Sequence, residues 1–474
     1  MRNLTLLTDF YQLTMMNGYL QCGTDRQQAV FDVFFREKEQ ISYAVAAGLE
    51  QVAEYINNLH FDADDLDYLK SLNCFGDDFI DALRKFRFTG DVFAVPEGTV
   101  VFPYEPVLTV KAPLFEAQLI ETAILNLINH QTLIATKAAR MCNSTDSTIL
   151  EFGLRRAQGP DAGIYGARAA YIGGCHSTSN VLSGKMFDIE VKGTHAHSWV
   201  MSFPDELTAF RKYAEIYPEG CLLLVDTYDT LKSGVPNAIK VFDELKAKGY
   251  NPLGIRLDSG DLAYLSKQAR KMLDAAGHKD VKIFASGDID EHILLSLARE
   301  GAKIDIYGIG TKLITSYDCP SLGGVYKLAA IEKDGQLVPK MKFSDTRAKI
   351  TNPGLKKIVR LYNKDGKALA DLICLKEEEI DASGPLTIYH PEQTWKKTVL
   401  TDFTAKDLMV QIFKDGKQVY SLPSLKEIGE YALESMAEFY PEYKRTVNPQ
   451  EYKVDLSDRL FDLKKQMIKE KLNK

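Results

Sequence analysis

The sequence is poor in the features that would assign it to several common classes. Its 474 residues hold seven cysteines, odd in number and scattered (Cys22, Cys74, Cys142, Cys175, Cys221, Cys319, Cys374), with no CxxC pair. Neither a disulfide framework nor a thiolate zinc site is indicated, and a reducing compartment fits. No apolar run approaches the roughly 18 residues of a membrane-spanning helix. The opening Met1-Arg2-Asn3-Leu4-Thr5-Leu6-Leu7-Thr8-Asp9 is broken by polar side chains before a secretory apolar core forms. A cytoplasmic location is the expectation. Positive charge is not in excess either: 58 Lys and Arg stand against 65 Asp and Glu, a net charge of -7. That balance gives no electrostatic footprint for nucleic acid or anionic lipid, so a small ligand is expected, with no nucleic acid and no membrane. No GxxxxGK[ST] phosphate loop occurs, and no GxGxxG follows the first strand of the α/β region.

What is present is a globular composition, 45% hydrophobic and 26% charged, long enough for one α/β barrel with additions. Three segments are expected. Residues 1–145 read as an α+β domain. Thr8 would cap a short helix through Tyr19, strand signals cover Ala29 to Arg36 and Asp91 to Lys111, and a long buried helix runs from Leu114 to Met141. In residues 146–340 short apolar β-rich runs alternate with helical stretches, the pattern of βα units on a parallel sheet. The runs are Thr148 to Phe152, Ala170 to Gly173, Phe187 to Val191, Cys221 to Asp226, Leu253 to Asp258, Val281 to Ala285, Ile304 to Ile309 and Val325 to Ile331. Seven or eight strands suit a barrel, and an open doubly wound sheet fits the alternation too. Residues 341–474 return to β signals, with a hairpin at Asn363-Lys364-Asp365-Gly366, a capping box of Ser424 with Glu427, and an amphipathic tail from Asp455 to Leu472.

In a β/α barrel the chemistry stands at the C-terminal ends of the strands. Those positions read Phe152-Gly153-Leu154-Arg155-Arg156, Gly174-Cys175-His176-Ser177, Gly193-Thr194-His195-Ala196-His197, Asp226-Thr227-Tyr228-Asp229, Arg256-Leu257-Asp258-Ser259-Gly260-Asp261, Ser286-Gly287-Asp288 and Gly308-Ile309-Gly310-Thr311-Lys312. Together they offer cations and free N–H groups for phosphates, carboxylates for a metal or sugar hydroxyls, and an aromatic face, which is the equipment of a phosphosugar site. Each motif taken alone admits a plainer reading. Gly308 to Thr311 is either a phosphate nest or an ordinary glycine turn. Arg256 and Asp258 are either functional or an exposed ion pair. Leu222 to Thr230 is a strand ending in acids, Asp226 and Asp229, whose spacing does not match the phosphoribosyl pyrophosphate motif of one class of phosphoribosyltransferases. His195 and His197 lack a third ligand at metal-site spacing, so a single phosphate-accepting or acid/base histidine fits better. His176 reads as a hydrogen-bonded histidine near the barrel rim. Lys327, in an apolar strand, is either a Schiff-base lysine or the partner of a barrel carboxylate, the second being preferred.

Several of these motifs, in order, resemble those of the nicotinate phosphoribosyltransferase family: Thr8-Asp9-Phe10-Tyr11-Gln12-Leu13-Thr14-Met15, Glu151 to Pro160, Gly193 to Ser198, Arg256 to Asp261 and Gly308 to Thr311, continuing through Lys342-Phe343-Ser344-Asp345 and Asn352-Pro353-Gly354. The resemblance implies the type II phosphoribosyltransferase fold, an incomplete β/α barrel flanked by an α+β domain formed from both chain ends. It also implies the reaction: nicotinate and phosphoribosyl pyrophosphate give nicotinate mononucleotide and pyrophosphate, coupled to ATP as cosubstrate, in NAD biosynthesis. By position, His197 matches the family's phosphorylated histidine, Tyr11, Thr194 and Arg256 its nicotinate contacts, and Thr311 a phosphate contact. Phe152 and Arg155 resemble the stacking aromatic and nearby arginine of the related nicotinamide enzyme. The family is dimeric, with the N-terminal segment completing the neighbouring subunit's site, so a homodimer is expected.

The chemistry makes sense of these residue types. Displacement at the anomeric carbon passes through an oxocarbenium-like state with the pyridine nitrogen as nucleophile, so the protein has to position, neutralise charge and hold Mg²⁺. Arg256 and Asp258 are expected to serve the substrate anions and the ribose or metal, Asp226 to join Asp258 and His197 as a catalytic residue, Gly287 to contact substrate and Gly308 to Thr311 to hold the 5′-phosphate, while the metal-binding set is left unassigned. The alternatives are the nicotinamide-specific enzyme, a Schiff-base aldolase using Lys327, and an inactive ligand-binding protein.

Overall fold

A computed structural model describes residues 2–39, 41–344, 350–393 and 395–472. The chain divides into two compact units, one of residues 1–133, 321–444 and 449–474, the other of residues 134–320 and 445–448. The first boundary falls inside the helix Glu121–Cys142, and the second just ahead of the strand Gly324–Lys333.

In the second unit six strands form one parallel sheet in the order Ser177–Thr178, Thr148–Glu151, Ile306–Ile309, Lys282–Gly287, Gly254–Leu257, Leu222–Leu224. Val191 adds a single bridge to Thr178 on the outer side. This makes seven strand positions around an incomplete barrel. Among the described residues no ladder joins Val191 to Leu222–Leu224, so the ring has one open seam. Leu150, Leu222 and Phe284, with Phe152 and Ile306, pack together from four of the strands. The flanking helices start where the sequence supplies acceptors. Asp205, Asp261 and Asp290 accept from the N–H groups of Thr208, Tyr264 and Ile293, which would otherwise lack partners in a helical first turn.

Three expected barrel strands are corrected. Ala170 to Gly173 closes the helix Pro160–Ile172. Its small residues serve close helix packing, since a Cβ on Gly173 would stand 2.3 Å from the Ala135 carbonyl oxygen. The strand position itself belongs to Ser177–Thr178. Phe187 ends the helix Val181–Phe187, Asp188 turns the chain at φ 54°, and of the expected strand only Val191 pairs. Val325 to Ile331 is a strand, but it lies antiparallel to Gln28–Phe35 in the other unit. An eighth barrel strand and a barrel position for Lys327 are thereby both removed.

The first unit is built around an antiparallel seven-stranded sheet: Gln336–Pro339, Gly324–Lys333, Gln28–Phe35, Leu108–Pro113, Asp91–Ala94, Val410–Lys414, Lys417–Gln418. Seven of the eight residues of Gln28–Phe35 are buried, as befits a central strand covered on both faces. A second six-stranded sheet contains Lys356–Tyr362 and Ala368–Leu375, joined by the hairpin expected at Asn363 to Gly366. The box of Ser424 and Glu427 caps Leu425–Ala437 as expected. Thr8 does not cap the first helix. That helix is Phe10–Gln21 with Asp9 at its N-cap, and the Thr8 hydroxyl donates instead to the Leu119 carbonyl. The tail divides into the strand Val454–Leu456 and the helix Asp458–Leu472. Arg360, fully buried, grips Asp371 through two bonds of 2.8 and 2.7 Å and also reaches the Val100 carbonyl and Glu438. Asp345 lies outside the described residues.

Candidate functional site

The parallel unit encloses a cavity of about 250 Å³ lined by Phe152, His176, Ser177, Lys192, Gly193, Thr194, Arg256, Ser286 and Gly308, with Leu150, Leu222, Phe284 and Ile306 among its apolar walls. The aromatic face comes from Phe152, whose N–H extends the first strand by bonding the Ile309 carbonyl at 2.8 Å. Gly308, within the strand Ile306–Ile309, lies against this ring; a Cβ there would stand 2.5 Å from two ring carbons. The missing side chain of Gly308 makes room for Phe152. Across the cavity mouth the Arg256 guanidinium lies 5.9 Å from the ring centroid.

Arg256 is held from behind. Its Nε donates to the Ser286 hydroxyl at 2.7 Å and its Nη2 to Asp258 Oδ1 at 2.8 Å. Ser286 in turn donates to the same carboxylate oxygen. The ion pair foreseen as a plain alternative therefore exists, but within a network, with side chains only 15% and 28% exposed. Burial alone would raise the Asp258 pKa. The Ser286 hydroxyl, the Arg256 charge and His197 outweigh it and keep the carboxyl below the ordinary aspartate value. Asp226 supports the same corner: its Oδ2 accepts from the Asp258 N–H at 2.9 Å and the Ser259 hydroxyl at 2.6 Å, while its buried Oδ1 has no partner among the described residues. Asp229 and Asp261, the other acids of these motifs, cap helical turns.

His197 opens the short helix His197–Met201. Its Nδ1 lies 3.1 Å from the Thr227 hydroxyl and its Nε2 3.8 Å from Asp258 Oδ2. His195 points elsewhere. Its ring is buried, edge-on to Tyr213 at 4.7 Å, with Nε2 accepting from the Leu224 N–H at 3.3 Å. The two rings diverge, and no group of three or more His, Cys, Asp or Glu that could hold a metal ion occurs among the described residues. Thr194 lines the cavity while its hydroxyl donates to the Leu222 carbonyl at 2.6 Å. Gly287 adopts φ 127° at the end of its strand, a conformation that favours glycine, and a Cβ there would stand 3.3 Å from the Asp258 carbonyl oxygen. Gly310 precedes the short helix Thr311–Ile314, whose first residue, Thr311, stands at a helix start.

Of the other expected residues, His176 lines the cavity, while Arg155, Tyr11 and Lys327 are not among its lining residues. Arg155 is exposed on the turn Leu154–Arg156 and is not a cavity residue. Tyr11 belongs to the other unit, on the helix Phe10–Gln21, and is 49% exposed. His176 lies before a strand rather than after one, because the helix Pro160–Ile172 displaces the strand; it lines the cavity, exposed, 3.7 Å from Glu190. Lys327 also lies in the other unit, its Nζ bonded to the Tyr326 carbonyl at 2.9 Å and its pKa lowered mainly by burial. Ser286, Thr227 and Glu151 were missed as individual residues. Buried Glu151 accepts from the Thr178 hydroxyl at 2.6 Å and from the Gly153 N–H, tying two strand ends together. All three lie in motifs at strand ends, Glu151 to Pro160, Asp226 to Asp229 and Ser286 to Asp288, but their types alone do not mark them as the groups that hold the site.

Comparison with known proteins converges on one family. Residues 6–129, 147–370 and 355–464 match, respectively, the models of the nicotinate phosphoribosyltransferase N-terminal domain, family and C-terminal domain. The nicotinate phosphoribosyltransferase of Bacillus subtilis (strain 168) is 49% identical over 471 residues, covering 99% of this chain and 96% of that one. That of Caenorhabditis elegans is 38% identical, covering 96% and 92%. The crystal structure of human nicotinic acid phosphoribosyltransferase superposes with a TM-score of 0.84 at 33% identity over 97% of this chain and 99% of that one.

Proposed function

Because the chain belongs to the nicotinate phosphoribosyltransferase family and forms nicotinate mononucleotide from nicotinate and phosphoribosyl pyrophosphate in NAD biosynthesis, we propose how its own residues divide that work. The carrying observation is the continuous chain Arg256, Ser286, Asp258, His197 beside the Phe152 ring. The pyridine ring would lie against Phe152. The nicotinate carboxylate would meet Arg256, whose Nη1 has no hydrogen bond among the described residues. Such a cation, fixed by Ser286 and Asp258 before the substrate arrives, favours a carboxylate over a neutral amide. Asp258 and Asp226 would steady the ribose, with Gly287, Gly308, Gly310 and Thr311 on the phosphate side.

The donors suit Mg²⁺. A magnesium ion commonly takes one or two carboxylates and completes its shell with substrate phosphates and water. The unpartnered Asp226 Oδ1 and the ionised Asp258 fit that pattern. Bound there, the ion would neutralise charge on the departing pyrophosphate.

ATP is the proposed cosubstrate and His197 its phosphate acceptor, in a cytoplasmic enzyme. Support comes from His197's half-exposed ring, with Thr227 at one nitrogen to fix its orientation and Asp258 near the other. Incubation with γ-labelled ATP should give an acid-labile, base-stable label on the wild type and none on His197→Ala. The variant should still form nicotinate mononucleotide, without stimulation by ATP. Label retained in His197→Ala would overturn the assignment.

A further inference from the structure

The open seam of the barrel leaves backbone groups of Leu222–Leu224 without a strand neighbour on one side among the described residues. Two consecutive side chains of a neighbouring loop meet them. Thr194 donates its hydroxyl to the Leu222 carbonyl at 2.6 Å, and His195 Nε2 lies 3.3 Å from the Leu224 N–H. These partners are one strand repeat apart, so the loop imitates a ladder with side chains in place of backbone. We propose that His195 is a positioning residue of the reaction: as a neutral acceptor it closes the seam and thereby fixes Thr194 at the cavity wall and the start of the His197 helix.

The tautomer follows from the geometry. A backbone N–H can only donate, so Nε2 facing Leu224 is unprotonated, and the ring proton sits on Nδ1, 3.4 Å from the Ala196 carbonyl. The surroundings hold the ring in that form. Phe210 and Tyr213 pack on it, and Arg256 and His197 lie close enough to disfavour a second positive charge. A buried backbone donor deprived of its acceptor destabilises the arrangement that exposes it, so the loop would loosen where it lines the cavity.

The inference rests on the reading that this cavity takes nicotinate, and the test separates the two. Steady-state constants for nicotinate are measured on the full chain as wild type, His195→Gln, His195→Leu and Arg256→Ala, with deuterium uptake of the segment containing Leu224. Gln can place Oε1 where Nε2 stands; Leu fills the space and accepts nothing. His195→Leu should raise KM roughly tenfold, more than it lowers kcat, and hasten exchange at Leu224. His195→Gln should restore both. A wild-type KM in His195→Leu beside an impaired Arg256→Ala overturns the role of His195 alone. Wild-type KM in both overturns the cavity reading with it. Should the Leu variant fail to fold, a raised KM in well-folded His195→Gln overturns the proposal by itself.

Discussion

Arg256 has two of its donor groups engaged before any substrate arrives, and that fixes what neighbouring substitutions do. Ser286→Ala should leave Nε without its acceptor and Asp258 with one donor fewer, a loss of about 1–3 kcal/mol, read as a fall in kcat/KM for nicotinate of roughly tenfold with little change in fold. An unchanged kcat/KM would show that the hydroxyl is dispensable for holding Arg256. His195 yields a pH prediction. Burial, ahead of the Arg256 and His197 charges, lowers its pKa from 6.5 to about 4. Its lowered pKa means that the unfolded chain takes up a proton near pH 6.5 while the folded chain resists until about pH 4. Stability is therefore lost as pH falls through that window, by about 3 kcal/mol. Denaturant unfolding of wild type and His195→Gln should diverge in slope between those pH values; parallel curves would contradict the shift. At this scale the sequence was legible where charge and spacing pointed to function: Arg256, Asp258 and His197 meet. It was silent on which acid of Arg256 to Asp261 enters the site and which caps a helix, because Asp258 and Asp261 are chemically alike and only the fold distinguishes them.

Glycines and small residues mark where secondary elements approach one another. A Cβ at Gly308 would collide with the Phe152 ring, and both are held in the parallel sheet or its extension. Gly308→Ala should displace the ring, lowering stability by about 1–3 kcal/mol and raising KM for nicotinate; a thermal midpoint and KM equal to wild type would refute that packing role. The same logic explains the misread elements. Ala170, Tyr171 and Ile172 look like a buried strand in sequence because a short apolar run suits both states, and only the neighbouring helix Glu121–Cys142, against which Gly173 packs, decides between them. The apolar strand Gly324–Lys333 was recognised as a strand. Its sheet could not be inferred, since periodicity reports a covered face and not the partner that covers it.

For the whole molecule, we propose a homodimer in which Tyr11 of one copy serves the barrel site of another. Tyr11 is half-exposed on its own unit's surface. Mixing Tyr11→Ala with Arg256→Ala under verified subunit exchange should regain part of the lost activity; no recovery would mean that each copy makes its own site. The chain's order in the two units has a further consequence, for synthesis. All strands of the parallel unit come from residues 148–309, in one stretch of chain. The antiparallel sheet instead needs Gln28–Phe35 to meet Gly324–Lys333, and Asp91–Ala94 to meet Val410–Lys414. At roughly 5–20 residues per second a ribosome takes about 15–60 s to make the intervening stretch of about 300 residues. Throughout that delay the apolar strand Gln28–Phe35 has a bare edge, so the nascent chain should engage a holding chaperone early and release it only once the last third has emerged.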